Sequence, residues 1–478
     1  MGGNAGARLL DRSGDYPAYA LAAIAGVVCG IAVVQPQGLQ STTLWGAALL
    51  GLLLVAYLAI VLSITPEVFF IGWLFAAPIF QNSALQTTIG HGLAQVVYVL
   101  PPLIFLLVLA RRGFSRRVGG VDLMPALFLA YIIVSDRLIT SEPQGLSAEL
   151  RGIYMSVGIG VIAYYFLAFG PSTSRLARRF AAALIASGCV VAAMAIVDGL
   201  TGWNLWRDTE WQNVEAAIGI SRAAATLGPA PLGTFLGMAV AVALAILVWN
   251  GPPTLKRPSK LLIALSVPAL YLTYTRGPMI AIAAVALAMV VFATRSRWRS
   301  VLVLVGVGAV LLAFLSSITS TAIFKSRFEN TYNINTRVEL QRASFTLAGQ
   351  RPIAGWGYGS FDRVKNEADL RTQDPVNFAK TTSHNSFLTF LVELGIVGLA
   401  LFLIPWVVVC ARALTAARRR AAQRWLLVGV VGAVVVYIIS ASTYDARFFS
   451  FVPALPWIML GVARRTLADG EDRATIVD

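Results

Sequence analysis

The chain has 478 residues, of which 57% are apolar and 13% are charged, and its mean hydropathy is +0.73. Roughly a quarter of the residues in a soluble globular domain are charged, so this composition excludes an ordinary soluble fold. The formal net charge of +15 would suit a nucleic-acid partner, but the basic residues lie in short loops between apolar runs.

Apolar runs close to the ~20 residues that cross a bilayer as a helix recur along the whole chain. They are too long and too continuous for the alternating strands of a membrane barrel. We therefore predict an all-α polytopic membrane protein with about 12–14 transmembrane helices. The predicted spans are 17–36, 43–63, 66–81, 93–110, 122–136, 151–170, 179–199, 232–249, 260–274, 277–293, 300–317, 384–409, 425–441 and 447–463. The third, fifth and ninth runs are short, so twelve or thirteen spans remain an alternative.

The basic residues fall on every second loop of this arrangement, which is the positive-inside pattern. The clusters are Arg111, Arg112, Arg116 and Arg117; Arg175, Arg178 and Arg179; Lys256, Arg257 and Lys260; Arg295, Arg297 and Arg299; and Arg412, Arg418, Arg419, Arg420 and Arg424. The basic residues therefore indicate the orientation of the chain in the membrane, with both termini cytoplasmic. They do not indicate a nucleic-acid partner. No small-residue cleavage site follows the first apolar run, which indicates a retained helix.

The same topology divides the chain into four parts. We predict a transmembrane bundle over 1–317, an extracytoplasmic helical loop domain over 318–383, C-terminal transmembrane helices over 384–463 and a cytoplasmic tail over 464–478. Inside the loop domain, 336–348 is predicted as an amphipathic helix that Pro352 ends. The following "GWGYGSF" predicts a glycine-rich turn, either packed by its aromatic residues or offering backbone amides to an anion.

The sequence lacks the motifs of metal-dependent and nucleotide-dependent enzymes. It contains two histidines and three cysteines, no HExxH, no P-loop, no GxSxG and no DxD on a predicted outer loop. All three cysteines lie in apolar runs, without the spacing of metal ligands. We therefore expect no metal and no cofactor.

Two arginines stand at predicted outer ends of spans, where the positive-inside bias disfavours them. Arg276 lies in "LTYTRGPMIAIA", and Arg222 begins "RAAATLGPAPLG", whose Pro229 and Pro231 predict an irregular segment over 223–231. An ionisable side chain at such a boundary is a functional candidate, although snorkelling is the structural alternative. Paired guanidiniums suit a phosphate or diphosphate, which arginine binds through bidentate hydrogen bonds.

His384 opens the apolar run "HNSFLTFLVELGIVG", and Ser383 is predicted as the N-cap of its helix. The positive helix N-terminus and nearby arginines disfavour the charged imidazole. A histidine that is neutral at pH 7 can act as a general base, although one at a membrane interface is as often structural. On a straight helix Gly395 and Gly398 lie below His384, where a lipid chain could approach, while Glu393 faces another helix.

These segments together resemble the O-antigen ligase and polymerase superfamily. His384, Asn385, Gly395 and Gly398 fit its signature H-[NSQ]-x9-G-x-x-[GTY]. The stretch "TRVELQRASFTLAGQRPIAGWGYGSF" is similar to the family's outer-loop motif, and its second residue is Arg337.

Two further segments are similar to motifs of the same superfamily. "TRGPMIA" resembles its arginine–glycine motif, and "RAAATLGPAPLGTFL" resembles its RxxGTFGNPN segment. The second segment departs from that pattern, because Ala225 replaces a glycine and both asparagines are missing, which affects the expected acceptor or lipid contacts. In the loop motif Gln341 stands where the family has tryptophan.

The resemblance implies a GT-C-like, inverting, metal-independent glycosyltransferase in a bacterial inner (cytoplasmic) membrane, with its active site on the periplasmic or extracytoplasmic side. The donor would be a glycan on undecaprenyl diphosphate, and the acceptor would be lipid A-core or another glycan or protein. It implies that His384 deprotonates the acceptor, that Arg222 and Arg276 bind the diphosphate, and that Gly395 and Gly398 line a lipid groove. Arg337 would contact the diphosphate or support its ligands, and Asn385 would orient the histidine or the substrate.

Three alternatives stay open at the level of sequence. A polysaccharide polymerase and a protein O-oligosaccharyltransferase share the same signature. An anion transporter belongs to a different class, and it would show mid-membrane charges and discontinuous repeated helices.

Overall fold

The computed structural model consists of helices joined by short turns over the residues that it describes. These residues are 66–80, 102, 104–106, 108–110, 113–138, 150, 152–170, 175–203, 222–293, 332–368, 378, 383–419, 423–449 and 451–474. The helices are α1 Pro66–Phe80, α2 Met124–Leu138, α3 Ile159–Phe169, α4 Leu176–Thr201, α5 Pro229–Val248, α6 Pro253–Thr273, α7 Arg276–Ala293, α8 Tyr332–Gln350, α9 Phe361–Glu367, α10 Ser386–Arg418, α11 Arg424–Ala441 and α12 Ala454–Ala474. A π-type turn, Tyr154–Gly158, leads into α3.

Five of these helices are long and apolar enough to cross a membrane. They are α4, α5, α7, α10 and α11. The shorter apolar segments Pro66–Ile79 and Tyr154–Phe169 add to them, and the fold class is confirmed as an all-α polytopic membrane protein. The predicted spans 17–36, 43–63 and 300–317, and most of 93–110, lie outside the described residues.

Helix α5 lies at the centre of the bundle. Most of its side chains are buried, and it packs against α6, α7 and α11. Gly237 allows the approach of its neighbours, because a β-carbon there would come within 2.8 Å of side-chain atoms of both Ile282 and Val436. Around this centre α4 packs on α6 and α1, and α12 packs on α3. Close packing of this kind is how helices associate in a bilayer, where lipid is as apolar as the side chains.

Several helix boundaries differ from the predicted spans for local reasons. The irregular segment predicted over 223–231 ends at Gly228, because Pro229 and Pro231 both fit the first turn of α5, where a proline needs no backbone donor. The predicted span 447–463 begins instead at Ala454. Residues before it form a 3₁₀ turn, Ala446–Phe448, that the Asp445 side chain caps by accepting from the Arg447 amide.

One end of the bundle gathers the turns that carry most of the predicted site. The amide of Ala223 donates to the Leu272 carbonyl over 2.9 Å, and the Ser386 hydroxyl donates to the Tyr444 carbonyl over 3.3 Å. These contacts connect the turn before α5 to the end of α6, and the start of α10 to the α11–α12 turn. The Tyr444 hydroxyl joins the two pairs, because it donates to the Thr234 hydroxyl in α5 over 3.1 Å. We call this end the site end, and its extracytoplasmic orientation stays a prediction.

Candidate functional site

His384 lies immediately before the cap of α10, outside the membrane-spanning helix. The N-cap is Asn385 and not Ser383 as predicted, because the Asn385 Oδ1 atom accepts from the amides of Phe387 and Leu388 over 3.0 and 3.1 Å. Two of the orphan donors of α10 are satisfied in this way. The helix therefore starts two residues later than the predicted span 384–409, and His384 lies in the turn in front of it.

The surroundings of His384 favour its neutral form. Burial lowers the pKa of His384 to about 4, and the positive charges of Arg337 and Lys365 act in the same direction. Asp445 acts in the opposite direction, toward a higher pKa, but does not outweigh them. The helix N-terminus contributes to the same preference, since its partial positive charge disfavours imidazolium. His384 is therefore available as a proton acceptor at neutral pH.

Arg222 and Arg276 are brought together by the turn between α6 and α7. Arg222 Nε donates to the Thr273 carbonyl at the end of α6 over 2.9 Å, and Arg276 is the first residue of α7. The reversal places Tyr274 in the left-handed region with φ 52°, and the hydroxyls of Thr273 and Thr275 hydrogen bond over 2.6 Å. Both arginines are thus fixed at the site end, and Arg276 is exposed there.

Arg337 completes the group from helix α8. Burial lowers the pKa of Arg337, and the neighbouring charges of Arg276 and Arg222 lower it further. Screening by water and salt confines such effects to charges within about 8–10 Å of each other, so the three guanidiniums share one region. Arg337 also lowers the pKa of His384, which places the histidine beside the same region. We call Arg222, Arg276 and Arg337 the arginine triad.

The turn between Arg222 and the start of α5 is held in place by Asp198. The amides of Ala224 and Ala225 donate to the buried Asp198 Oδ2 atom at the end of α4, over 2.8 and 3.0 Å. Ala225 itself has φ 45°, in the left-handed region that favours glycine. The related motif has glycine at this position. Ala225 therefore adopts a left-handed backbone conformation that glycine would adopt with less strain.

The outer-loop motif contacts the helix of His384 through backbone atoms. We call residues 351–360 the glycine loop. Its amides of Trp356 and Gly357 donate to the carbonyls of Val392 and Glu393 in α10, over 3.0 and 2.8 Å. In return, the amide of Ile396 donates to the carbonyl of Pro352 over 2.8 Å. These loop amides are engaged with α10, which is the packed-turn interpretation of the glycine-rich segment and not the anion-binding one.

This docking corrects the predicted glycine stripe. Helix α10 is broken at Gly395, whose φ of 63° and ψ of −168° form a conformation that is essentially restricted to glycine. A β-carbon at Gly395 would collide with the backbone of Ile353, and one at Gly398 would contact Tyr131 at 3.1 Å and Leu394. The straight-helix wheel therefore does not apply, and protein atoms occupy the surface assigned to a lipid groove. The pairing of the glycine loop with the broken helix is the role that the structure supports for Gly395.

Sequence reasoning missed a buried charge network next to His384. Arg447 donates through Nε and Nη2 to the Asp445 carboxylate, over 2.9 and 2.7 Å, and through Nη1 to the Glu393 Oε2 atom. The other oxygen of Glu393 accepts from the amide of Phe361 at the end of the glycine loop, over 3.2 Å. Glu393 was expected to bond another helix, and its partner comes from the α11–α12 turn instead. A carboxylate inside an apolar run signals such a partner, but the sequence does not identify it.

Within the part of the chain that the structure describes, no three His, Cys, Asp or Glu side chains are arranged to hold a metal ion. The expectation that the reaction needs no metal stays a prediction.

Comparison with known proteins connects this geometry to a family. Residues 261–403 match the family model described as O-antigen ligase, Wzy_C. The match includes Arg276, Arg337 and His384, whereas Arg222 and Arg447 lie outside it. No curated protein matches the chain. The matched domain, carried on an all-helical membrane bundle, supports the assignment of this chain to the O-antigen ligase and polymerase superfamily.

Proposed function

We propose that this protein is an inverting glycosyltransferase of the bacterial cytoplasmic membrane. It transfers a glycan from an undecaprenyl-diphosphate carrier to an acceptor hydroxyl on the extracytoplasmic side. The observation that carries the proposal is the arginine triad beside a neutral His384, of which Arg276, Arg337 and His384 lie in the segment that matches the O-antigen ligase family. A membrane enzyme of the ligase or polymerase type follows from the family, and the donor and the residue roles are our proposal.

In the proposed reaction, His384 accepts the proton of the acceptor hydroxyl while the hydroxyl oxygen attacks the anomeric carbon of the donor glycan. The new carbon–oxygen bond forms as the bond between that carbon and the diphosphate breaks, and the electron pair leaves on undecaprenyl diphosphate. Attack from the face opposite the leaving group inverts the anomeric configuration. The arginine triad stabilises the negative charge that develops on the leaving group. Guanidiniums suit this role because they bind phosphate oxygens in pairs and stay charged.

A bound donor also makes His384 a better base for deprotonating the acceptor hydroxyl. Part of the low pKa of His384 comes from Arg337, and a bound diphosphate places negative charge among the same guanidiniums. This charge raises the pKa of His384 from about 4 toward its ordinary value of 6.5. A base with a pKa nearer the working pH transfers protons more effectively, so catalysis is coupled to occupation of the donor site.

The break in α10 bears on the anion-transporter alternative, because transporters also use broken helices. In transporters the carbonyls at a helix break face an ion or a substrate. Here the carbonyls of Val392 and Glu393 accept from the glycine loop, and the ion pair of Glu393 lies with Arg447. These contacts favour the enzyme over the transporter.

The test is an in vitro transfer assay with the purified full-length protein and a lipid-diphosphate-linked glycan. Candidate acceptors are lipid A-core, a second lipid-linked glycan and a protein, which separate the ligase, the polymerase and the protein glycosyltransferase. We expect His384→Ala to abolish transfer while donor binding and thermal stability stay close to those of the wild type, and a chelator to leave transfer unchanged. Normal turnover by the variant, or loss of activity with the chelator, would contradict the mechanism.

Ser344→Ala is the matched control for a structural defect in the same region. Ser344 is buried in α8, and its hydroxyl donates within its own helix, to the Leu340 carbonyl over 2.7 Å. We expect this variant to transfer glycan at the wild-type rate.

A further inference from the structure

The backbone of His384 adopts a conformation that side chains other than glycine rarely take. Its φ is 51°, in the left-handed region. For a residue with a β-carbon this conformation is unfavourable and persists only where surrounding contacts over-determine it. Such strain directs the side chain away from the path of the helix that follows. The contacts that hold His384 in place therefore decide where its imidazole points.

The hydroxyl of Ser383 supplies the contact that spans the histidine. Ser383 Oγ accepts from the Asn385 amide over 3.2 Å, and it lies 3.1 Å from the Asn385 carbonyl oxygen, to which it can donate. Both bonds join residues on either side of His384, so the side chain closes a small ring around the strained residue. Turns of this kind are a known use of serine hydroxyls.

Thr389 connects this ring to the next turn of α10. Its hydroxyl forms a short hydrogen bond with the hydroxyl of Ser383, and both side chains are buried. Thr389 Oγ1 also lies 3.0 Å from the Asn385 carbonyl and 3.4 Å from Asp445 Oδ2. Each hydroxyl has one proton to donate. When Ser383 donates to Thr389, Thr389 can donate in turn to Asp445 or to the Asn385 carbonyl, and the Asn385 amide still donates to Ser383. The residue before His384 is therefore tied to the helix and to the turn that Arg447 anchors.

We propose that Ser383 and Thr389 are positioning residues, whose paired hydroxyls hold His384 in its left-handed conformation and aim its imidazole at the acceptor hydroxyl. This inference rests on the proposed function of His384 as the base. Neither hydroxyl touches the arginine triad in the described contacts, so the pair serves proton transfer and not donor binding. A displacement of about 1 Å in a reacting group is enough to slow a reaction by roughly a hundredfold.

The experiment measures kcat and KM for the lipid-linked donor in four full-length variants. Ser383→Ala and Thr389→Val each remove one hydroxyl, and we expect kcat to fall between roughly tenfold and a hundredfold with the donor KM unchanged. Ser383→Thr and Thr389→Ser keep the hydroxyls, and we expect both to retain most of the wild-type kcat. Ser344→Ala again controls for the loss of a buried hydroxyl.

The outcomes separate this inference from the proposed function. If Ser383→Ala and Thr389→Val turn over at the wild-type rate while His384→Ala is inactive, the positioning role is wrong and the base is right. If His384→Ala stays active, the proposed function fails first. If kcat falls equally in the hydroxyl-keeping variants, or if both hydroxyl-removing variants lose their folded state, the pair stabilises the fold and the inference is overturned.

Discussion

Arg447 has electrostatic surroundings opposite to those of Arg337 in the arginine triad. Arg447 lies between the carboxylates of Asp445 and Glu393, and its side chain is 11% exposed. The charges that act on Arg337 are two more guanidiniums, those of Arg222 and Arg276. One arginine is thus neutralised by the protein itself, whereas the arginine triad concentrates positive charge in one region.

The difference separates an arginine that holds the fold from arginines that are arranged for a ligand. A buried guanidinium with two carboxylates has its charge compensated and contributes little field to its surroundings. Crowded like charges cost free energy in the empty protein, and an anionic ligand recovers that free energy when it binds. We therefore expect Arg447 to determine the stability of the fold and the arginine triad to determine donor affinity and transfer rate.

The largest expected effect comes from Arg447→Leu, which leaves the carboxylates of Asp445 and Glu393 buried beside an apolar side chain. Breaking a buried ion pair in this way costs about 3–5 kcal/mol of stability. We expect the variant to lose its folded peak in detergent or to melt far below the wild type.

Arg276→Leu is the matched substitution in the arginine triad. Arg276 is exposed, so we expect the melting temperature to stay within a few degrees of the wild type while transfer falls by roughly 10²–10³-fold, the loss typical of one electrostatic donor to the transition state. Thermal unfolding and transfer rates of the two variants test the distinction. It is wrong if Arg276→Leu unfolds the protein or Arg447→Leu leaves it stable.

A smaller effect is expected in the pH dependence of Arg337→Gln. Only neutral His384 accepts a proton, so kcat/KM falls as the pH drops through the pKa of about 4 in the free enzyme. The substitution removes a positive charge that lowers this pKa, and the acid limb of the profile then moves to higher pH, toward 6.5. For the wild type, kcat should show its acid limb at a higher pH than kcat/KM, because the bound donor supplies negative charge.

Arg351→Gln controls for the loss of a positive charge in the same loop region. Arg351 stacks over the ring of Trp356 at 4.1 Å and is not among the charges that shift the pKa of His384. The acid limb of the kcat/KM profile of Arg351→Gln should coincide with that of the wild type. An unmoved limb in Arg337→Gln would show that Arg337 does not act on the histidine.

The smallest effect is expected from Ala225→Gly, which alters the backbone beneath Arg222 without changing any charge. Glycine removes the strain of φ 45°, worth about 1 kcal/mol, although its greater freedom in the unfolded chain offsets part of this gain. We expect a slightly raised melting temperature and unchanged transfer. A lowered melting temperature would mean that the alanine methyl packs better than the strain costs.

The sequence predicts the parts of this molecule that depend on local patterns. Apolar runs locate the helices, and their places at the ends of predicted spans identify Arg222 and Arg276. Arg337, in the predicted loop domain, was implied only by the resemblance to the family's outer-loop motif. The ion pairs of Arg447 were beyond this reasoning, because its partner Glu393 is 54 residues away in the chain. Gly395 was misjudged for a related reason. A glycine that permits close helix packing and a glycine that breaks a helix look the same in a sequence, and only the docked loop distinguishes them.

The break at Gly395 has a consequence for protein engineering. The glycine loop supplies amides to α10 that a regular helix would obtain from its own next turn, so two segments far apart in sequence complete one element. A chimera that exchanges this loop for that of a relative must therefore exchange the surroundings of Gly395 with it. Replacing either segment alone would leave carbonyl groups without donors inside a membrane protein, where water is not at hand to replace them.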